Sequence, residues 1–297
     1  MPLLKVLILA IVQGLAELLP VSSSAHVVVA EKLLGLDPSA PVMTLLLVML
    51  HTGTMFAVIV YFWKTWVKTY FSSGDAFWRF AIRAIWATAL TGVIGFGLQK
   101  AIERTMFKGQ PKAEIEMLFS RLDLIAPALA AAGLLILIAG LRERRKAAAA
   151  ASGLVASGGG VTMGQAGWMG FVQGLALPFR GFSRSGSTIS AGMLTGAARE
   201  PAERFSFALA VILTPAVIGR EGLRLLKAAH EAKAAGTPID LHASLVACLL
   251  GMVFSFLAGL VALKWLSSWL ESGKWWLFGV YCLVASGVVF YLYTQGH

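Results

Sequence analysis

The sequence predicts an all-α polytopic membrane protein with six transmembrane helices and two re-entrant helical hairpins, arranged as an inverted-topology repeat. Three observations carry this expectation: the composition, six apolar stretches of crossing length, and a motif that occurs twice. Of 297 residues, 58% are hydrophobic and 13% charged, nine are tryptophan, and the mean hydropathy is +0.76. A chain so poor in polar surface does not dissolve as a globule and belongs in a bilayer.

The spanning stretches are Val42 to Trp63, Arg79 to Leu98, Leu122 to Leu141, Phe205 to Leu226, Ser244 to Leu263 and Lys274 to Tyr293. At 1.5 Å per residue, roughly 20 residues reach about 30 Å, the thickness of the hydrocarbon. Trp63, Trp66, Tyr70, Trp265, Trp269, Trp275 and Trp276 sit at the edges of these stretches, where amphipathic rings anchor in the headgroup region. Cys248 and Cys282 fall inside spans with no His or Cys at metal spacing. They read as small buried hydrophobes, with no disulfide framework or zinc site.

Two further apolar stretches, Leu3 to Gly35 and Val161 to Ala198, are too long for one crossing and too interrupted for two. The first contains QGLAELLPVSSSAH from Gln13 to His26, and 160 residues later the second contains QGLALPFRGFSRSGST from Gln173 to Thr188. Each copy begins in an apolar run, breaks at a proline (Pro20, Pro178) and ends in serines beside a basic or ionisable side chain. Broken backbone at membrane depth is tolerated where it is buried in protein or lines a cavity, so both stretches read as re-entrant hairpins. A cleaved signal peptide is the competing reading of the first, with Lys5 before Leu7 to Val12 and a Ser-Ser-Ser-Ala site. Its reappearance in mid-chain argues against cleavage, as do Gln13 and Glu17 inside the apolar run.

Residues 1–141 thus form a first repeat, a hairpin over 3–35 followed by three spans, and residues 161–297 a second, a hairpin over 161–198 followed by three more. An odd number of crossings inverts the second copy, an arrangement that places sites near the midplane. The join, 142–160, carries a basic cluster and an Ala/Gly/Ser tail and reads as a solvated linker. Lys and Arg number twelve on the side of 64–83, 142–146, 199–204 and 264–274, and eight on the side of the N-terminus, 100–121 and 227–233. The positive-inside rule makes the first side cytoplasmic and puts both termini outside. This bias and anionic headgroups account for the net charge of +10. No nucleic-acid motif is present.

A charge near the bilayer centre costs about 2.5–3.5 kcal/mol, so Glu17, Arg180 and Arg184 should face a polar cavity and one another. Gly181 to Thr188, GFSRSGST, places serines, a threonine and Arg184 where a helix begins and backbone N–H groups converge, which suits an anion. The first copy offers Ser22, Ser23, Ser24 and His26 at the corresponding turn. Gln13 and Glu17, at i and i+4, share a helical face. With phosphate oxygens to complete the set they suit a hard cation, Mg²⁺ or Ca²⁺. Guanidinium and hydroxyls for phosphate, a histidine as nucleophile or acid/base, and a carboxylate for the metal or for orientation suit phosphoryl transfer. A substrate that reaches an intramembrane cavity is itself membrane-borne, a lipid phosphate or diphosphate. His51, within MLHTGTMF, reads as a helix-to-helix hydrogen bond. Arg220, Glu221 and Arg224 read as snorkelling or paired, and Pro215 with Gly219 as a kink. A transporter of polyprenyl phosphate built on the same inverted repeat is the alternative function.

The two motifs resemble the signatures of the bacterial undecaprenyl-diphosphate phosphatase, or bacitracin-resistance, family. QGLAELLPVSSSAH is similar to its Glu-or-Gln-xxx-Glu helix followed by Pro-x-Ser-Ser-x-x-His, and GFSRSGST to its Pro-Gly-x-Ser-Arg-Ser-x-x-Thr. The resemblance covers essentially the whole chain. It implies hydrolysis of undecaprenyl diphosphate to the monophosphate in the bacterial inner membrane, with divalent-cation dependence and a site facing the periplasm. It further implies Gln13 and Glu17 at the metal, Ser22 and Ser23 as the serine pair, and His26 as the histidine. Ser183, Arg184, Ser185 and Thr188 would hold phosphate. Ser23 or His26 would attack phosphorus, with Arg184 stabilising charge and Glu17 holding the cation or acting as base. Arg180 stands where the family has its proline and would shift the turn or add a phosphate contact; Gln13 is the less acidic option at its position. The expected partners are the lipid substrate and the bilayer, a homodimer is compatible with the sequence, and nucleic acid is not expected.

Overall fold

The computed structural model describes residues 2–106, 115–151, 160–234, 239–270 and 274–296. They form helices α1 (Leu3–Leu18), α2 (Ser23–Leu33), α3 (Pro41–Tyr70), α4 (Gly74–Met106), α5 (Leu122–Ala151), α6 (Met163–Ala176), α7 (Arg184–Leu194), α8 (Arg199–Ala234), α9 (Leu241–Leu270) and α10 (Trp275–Thr294), with a 3-10 helix at Ile115–Ser120 before α5. Strands are absent among the described residues. Six helices, α3, α4, α5, α8, α9 and α10, are long and apolar enough to cross a membrane. They contain the six predicted stretches except for Lys274, which caps α10, and α8 alone runs 36 residues. Polar flanks outside the hydrocarbon continue the helical hydrogen bonding wherever no Pro or Gly stops it.

The linker is the clearest boundary correction. Helix α5 runs through Arg142 to Ala151 before residues 152–159, which lie outside the described set. Arg, Lys, Glu and Ala are among the strongest helix formers, so this basic stretch extends the span instead of ending it. Among the proposed aromatic anchors, Trp63 is exposed, but Trp66 and Trp275 are buried. Trp275 is only 1% exposed and its indole N–H donates to Ser190 Oγ at 3.2 Å, so it is a core residue. The side chains of Trp265 and Trp269 lie outside the described residues.

The two interrupted stretches are helix pairs joined by tight breaks, α1 with α2 and α6 with α7. Leu19 is extended before Pro20, as the residue ahead of a proline prefers, and the chain re-enters helix only at Ser23. The residue capping each second helix is a serine with left-handed backbone, Ser22 at φ 66° and Ser183 at φ 47°. Among the described residues these are the two non-glycine positions of positive φ. Such backbone costs of order 1–3 kcal/mol and persists where surrounding contacts hold it. Here each serine meets the other break, since the Ser22 N–H donates to Ser183 Oγ at 3.2 Å. The outer ends of each pair are also tied, by Lys5 Nζ to the Leu34 carbonyl at 2.6 Å and by Gln165 Nε2 to the Thr195 carbonyl at 3.3 Å.

Aligning the two motifs at Gln13 and Gln173 sets His26 against Gly186, whereas the caps give another pairing. Counted from the strained serine, His26 corresponds to Ser187, and Ser23 to Arg184. The spacing from Gln173 to Ser183 is one residue longer than that from Gln13 to Ser22.

Helix packing relies on small residues, because lipid supplies no hydrophobic drive between spans and close backbone approach supplies dispersion instead. Helix α1 lies on α9 and α6 on α4, so each helix pair packs against the other half of the chain. A Cβ at Gly14 would stand 2.4 Å from Ala258 Cβ, and one at Gly170 2.2 Å from the Ala87 carbonyl oxygen. Helix α3 meets α9 at Gly53, whose added Cβ would lie 2.1 Å from the Met252 carbonyl oxygen, and α5 meets α10 at Gly133, Gly140 and Gly279. Hydroxyls pin the same seams: Ser255 donates to the Leu50 carbonyl and Ser286 to the Ala126 carbonyl, both at 2.7 Å.

Gly53→Ala is therefore expected to destabilise the protein in detergent by about 1–3 kcal/mol through overpacking. Gly97→Ala, where an added Cβ meets nothing within 4 Å, should be neutral or mildly stabilising. Thermal unfolding of the two variants beside wild type checks this; an equal response would contradict the packing described.

Candidate functional site

Glu17 lies on the last turn of α1, with Gln13 one turn earlier on the same face, and both are buried. Each carboxylate oxygen has two partners. Oε2 accepts from the Gln13 amide at 2.9 Å and from the Ser23 hydroxyl in a short hydrogen bond. Oε1 accepts from Arg184 Nη2 at 2.6 Å and lies 3.0 Å from His51 Nε2. The break between α1 and α2 makes the Ser23 contact: the chain reverses at Pro20 and Ser22, and the first residue of α2 returns onto the last turn of α1.

His51 closes the network from α3. Its Nδ1 is 2.8 Å from Gln13 Nε2, and because an amide nitrogen can only donate, this ring nitrogen accepts. The proton is then on Nε2, facing Glu17. The expected helix-to-helix hydrogen bond is present, linking α3 to α1, and it falls on the central carboxylate. Sequence reasoning left His51 out of the candidate site. The available signal was a His-Thr-Gly-Thr string inside an otherwise apolar span, where polar groups carry a cost.

Arg184 is the first residue of α7 and reaches Glu17 from the other half of the chain. Its guanidinium has five N–H donors, more than the Glu17 contact uses. Around it the expected phosphate turn divides. Ser183 Oγ accepts from the N–H groups of Ser22 and Gly186, at 3.2 and 3.3 Å, and so braces the two breaks. Thr188 donates to the Arg184 carbonyl at 2.8 Å and sits 2.5 Å from Ser206 Oγ, fastening α7 to α8. Ser185 is buried on the first turn of α7. Ser22 Oγ and Gln13 Oε1 are buried and have no hydrogen-bond partner among the described residues. They are acceptors positioned for something not supplied by the protein.

Two expected partners stand elsewhere. Arg180 lies with its guanidinium 4.1 Å from the centre of the Phe119 ring, and its charge acts on the fully buried Glu31. These contacts place it toward the 3-10 helix before α5, away from the turn in which Arg184 sits. His26, nine residues beyond Glu17 across the proline break, has its ring turned to another neighbour. Nδ1 is 2.8 Å from the Ser22 carbonyl, which makes it the donor, and Nε2 is 2.7 Å from the Tyr281 hydroxyl of α10, with the rings stacked at 5.7 Å. Tyr281 was also missed. A tyrosine in mid-span, away from the interfacial belts, was the only sequence signal for it.

Glu17 therefore joins a hydroxyl, a guanidinium, an amide and an imidazole, itself buried while the His51 and Arg184 side chains stay 26% and 20% exposed. A carboxylate bonded to a serine hydroxyl is a base in contact with a nucleophile, and a guanidinium 2.6 Å from that carboxylate is placed to receive an anion beside it.

The chain matches the family model described as "Bacitracin resistance protein BacA" over residues 6–288. It is 57% identical over 289 residues to a protein of Acinetobacter baylyi named undecaprenyl-diphosphatase 2, covering 97% of each chain. It is 32% identical over 306 residues to the undecaprenyl-diphosphatase of Desulfosudis oleivorans, covering 96% of each. A third relative, the undecaprenyl-diphosphatase of Desulfitobacterium hafniense, is 27% identical over 294 residues, covering 97% of this chain and 95% of its own. With its two broken helix pairs meeting at Glu17 and Arg184 and a family match over nearly its full length, the chain belongs to the bacitracin-resistance protein BacA family.

Proposed function

We propose that this protein hydrolyses undecaprenyl diphosphate to undecaprenyl phosphate and inorganic phosphate, so recycling the lipid carrier of cell-wall synthesis and conferring bacitracin resistance. The observation that carries the reading is the single carboxylate of Glu17, bonded at once to the Ser23 hydroxyl and the Arg184 guanidinium. Polyprenyl-phosphate transport, raised above as an alternative, draws no support from the family or the relatives' names.

In this reading Ser23 Oγ attacks the terminal phosphorus as Glu17 takes its proton, forming an Oγ–P bond. The bond from that phosphorus to the bridging oxygen breaks, and undecaprenyl phosphate leaves. Glu17 passes that proton to the departing phosphate, and the freed carboxylate then deprotonates a water that attacks the phosphoserine. The P–Oγ bond breaks, Oγ takes the proton back from Glu17, and phosphate is released. Arg184, Ser185 and the first N–H groups of α7 hold the phosphoryl oxygens as charge develops. Ser22 Oγ adds a contact. Ser23 is preferred over His26 as nucleophile because Glu17 touches Ser23, whereas His26 faces Tyr281. His26 is left to serve the departing prenyl phosphate.

A divalent cation, Mg²⁺ or Ca²⁺, fits the donors present when the diphosphate completes its oxygen set. Among the described residues no three His, Cys, Asp or Glu side chains gather at metal distance. Glu17 and the unpartnered Gln13 Oε1 would hold the ion, and it would neutralise charge on the diphosphate.

Both helix pairs read as re-entrant hairpins and the two halves as an inverted repeat. The tied outer ends of each pair support this, as do the matching left-handed serines and the reciprocal packing of α1 on α9 and α6 on α4. The termini are assigned to the periplasm and the membrane to the bacterial inner membrane, from the charge bias and the family.

Phosphate release by the purified protein in detergent, with undecaprenyl diphosphate as substrate, tests the activity. Ser23→Ala and Arg184→Ala should each lower kcat by at least about 10²–10⁴-fold. Ser23→Ala is expected to leave a folded, monodisperse protein, whereas Arg184→Ala also lowers stability by stripping Glu17 of its buried partner. Arg184→Lys should recover only part of the loss. Near-normal hydrolysis by either alanine variant would overturn its role. EDTA should abolish release and Mg²⁺ or Ca²⁺ restore it. In Gln13→Ala the cation concentration for half-maximal rate should rise about tenfold. An unchanged cation dependence would remove Gln13 from the metal.

A further inference from the structure

We propose that the site opens sideways into the bilayer between α2 and α10, and that the prenyl chain of the substrate leaves the site over Tyr281. The inference rests on the diphosphate-lipid reading and extends it to the apolar part of the ligand.

The two hairpins are not equally enclosed. Helix α7 packs against α5 and α8, and every residue from Ser185 to Met193 is buried. Its counterpart α2 packs against α1, and among the described residues it is not closely packed on α10, the counterpart of α5. On α2 a stripe at i, i+3 and i+7 (His26, Val29 and Leu33) is partly or fully exposed. On α10 the stripe of Tyr281, Val284 and Val288 is exposed at 47%, 63% and 54%. The polar contact described between these helices is the bond from Tyr281 to His26 Nε2, with the two rings stacked.

Helix α2 runs from the break toward the end bearing the N-terminus, and α10 runs in the same direction, so the two stripes lie side by side. At its inner end this apolar track meets His26, three residues after Ser23. A closed lipid-facing wall would need only hydrocarbon side chains. A tyrosine hydroxyl and an imidazole there, satisfying each other, mark the join between a polar site and the bilayer. A prenyl chain gains nothing by entering the charged network around Glu17 or by leaving hydrocarbon. Its exit must therefore be continuous with the lipid.

The test compares undecaprenyl diphosphate with farnesyl diphosphate, a short-chain analogue, using the full-length purified protein. Val284→Trp fills the track beside Tyr281; Val261→Trp, on a lipid-facing position of α9, is the control. Val284→Trp is expected to lower kcat/KM for undecaprenyl diphosphate at least about tenfold more than for farnesyl diphosphate. Val261→Trp should show no such split. Equal effects of Val284→Trp on both substrates, or the same split in Val261→Trp, would overturn the portal while leaving the hydrolase intact. Failure of wild type to hydrolyse either diphosphate would instead sink the functional reading, and the portal with it.

Discussion

Glu17 and Arg184 are 167 positions apart in the chain and 2.6 Å apart in space, in a protein whose surroundings are hydrocarbon. Either charge alone near the bilayer centre costs about 2.5–3.5 kcal/mol, and stripping one partner from a buried pair costs about 3–5 kcal/mol. Neither break is thus stable as an independent element. The carboxylate requires the guanidinium of the other half, and meeting that need forces two interrupted helices to end at the same depth. The two left-handed serines and the glycine seams that seat α1 on α9 and α6 on α4 accompany this meeting.

The half-sites are equivalent in backbone and different in chemistry. After the strained serine, the first half presents Ser23 and the second presents Arg184. One position therefore yields a hydroxyl beside the carboxylate in one copy and a cation for phosphate in the other. The enclosing helices differ in the same sense. Helix α7 is buried so that its first turn is a fixed cradle, while α2 keeps one face open beside α10, where the apolar part of a lipid can lie.

Much of this was legible in the residues. Apolar length marked the six spans, and the twin motifs marked the interrupted helix pairs and the polar residues within them. Four things were not legible, each for a physical reason. His51 lies 38 positions from Gln13, and a lone polar residue in a span does not say which helix it faces. The partner of His26, Tyr281, depends on ring direction at a backbone break, which periodicity does not encode. Arg180 and Arg184 were grouped because they are close in sequence. The left-handed turn at Ser183 separates them, sending one guanidinium to Glu17 and the other to Phe119 and Glu31. The basic run after Leu141 was read by its charge, whereas its helix propensity decided its structure.

The account depends on the two breaks meeting in the membrane, and a cross-link tests that most directly. In a protein with Cys248 and Cys282 replaced by alanine and a protease site placed within 152–159, Ser22→Cys and Ser183→Cys together should form a disulfide in native membranes under mild oxidation. Their residues already share a 3.2 Å hydrogen bond, and a disulfide requires that kind of approach. After proteolysis the two halves should migrate as one band that reductant separates. Halves that separate without reductant, in a protein that still releases phosphate, would contradict the assembled site.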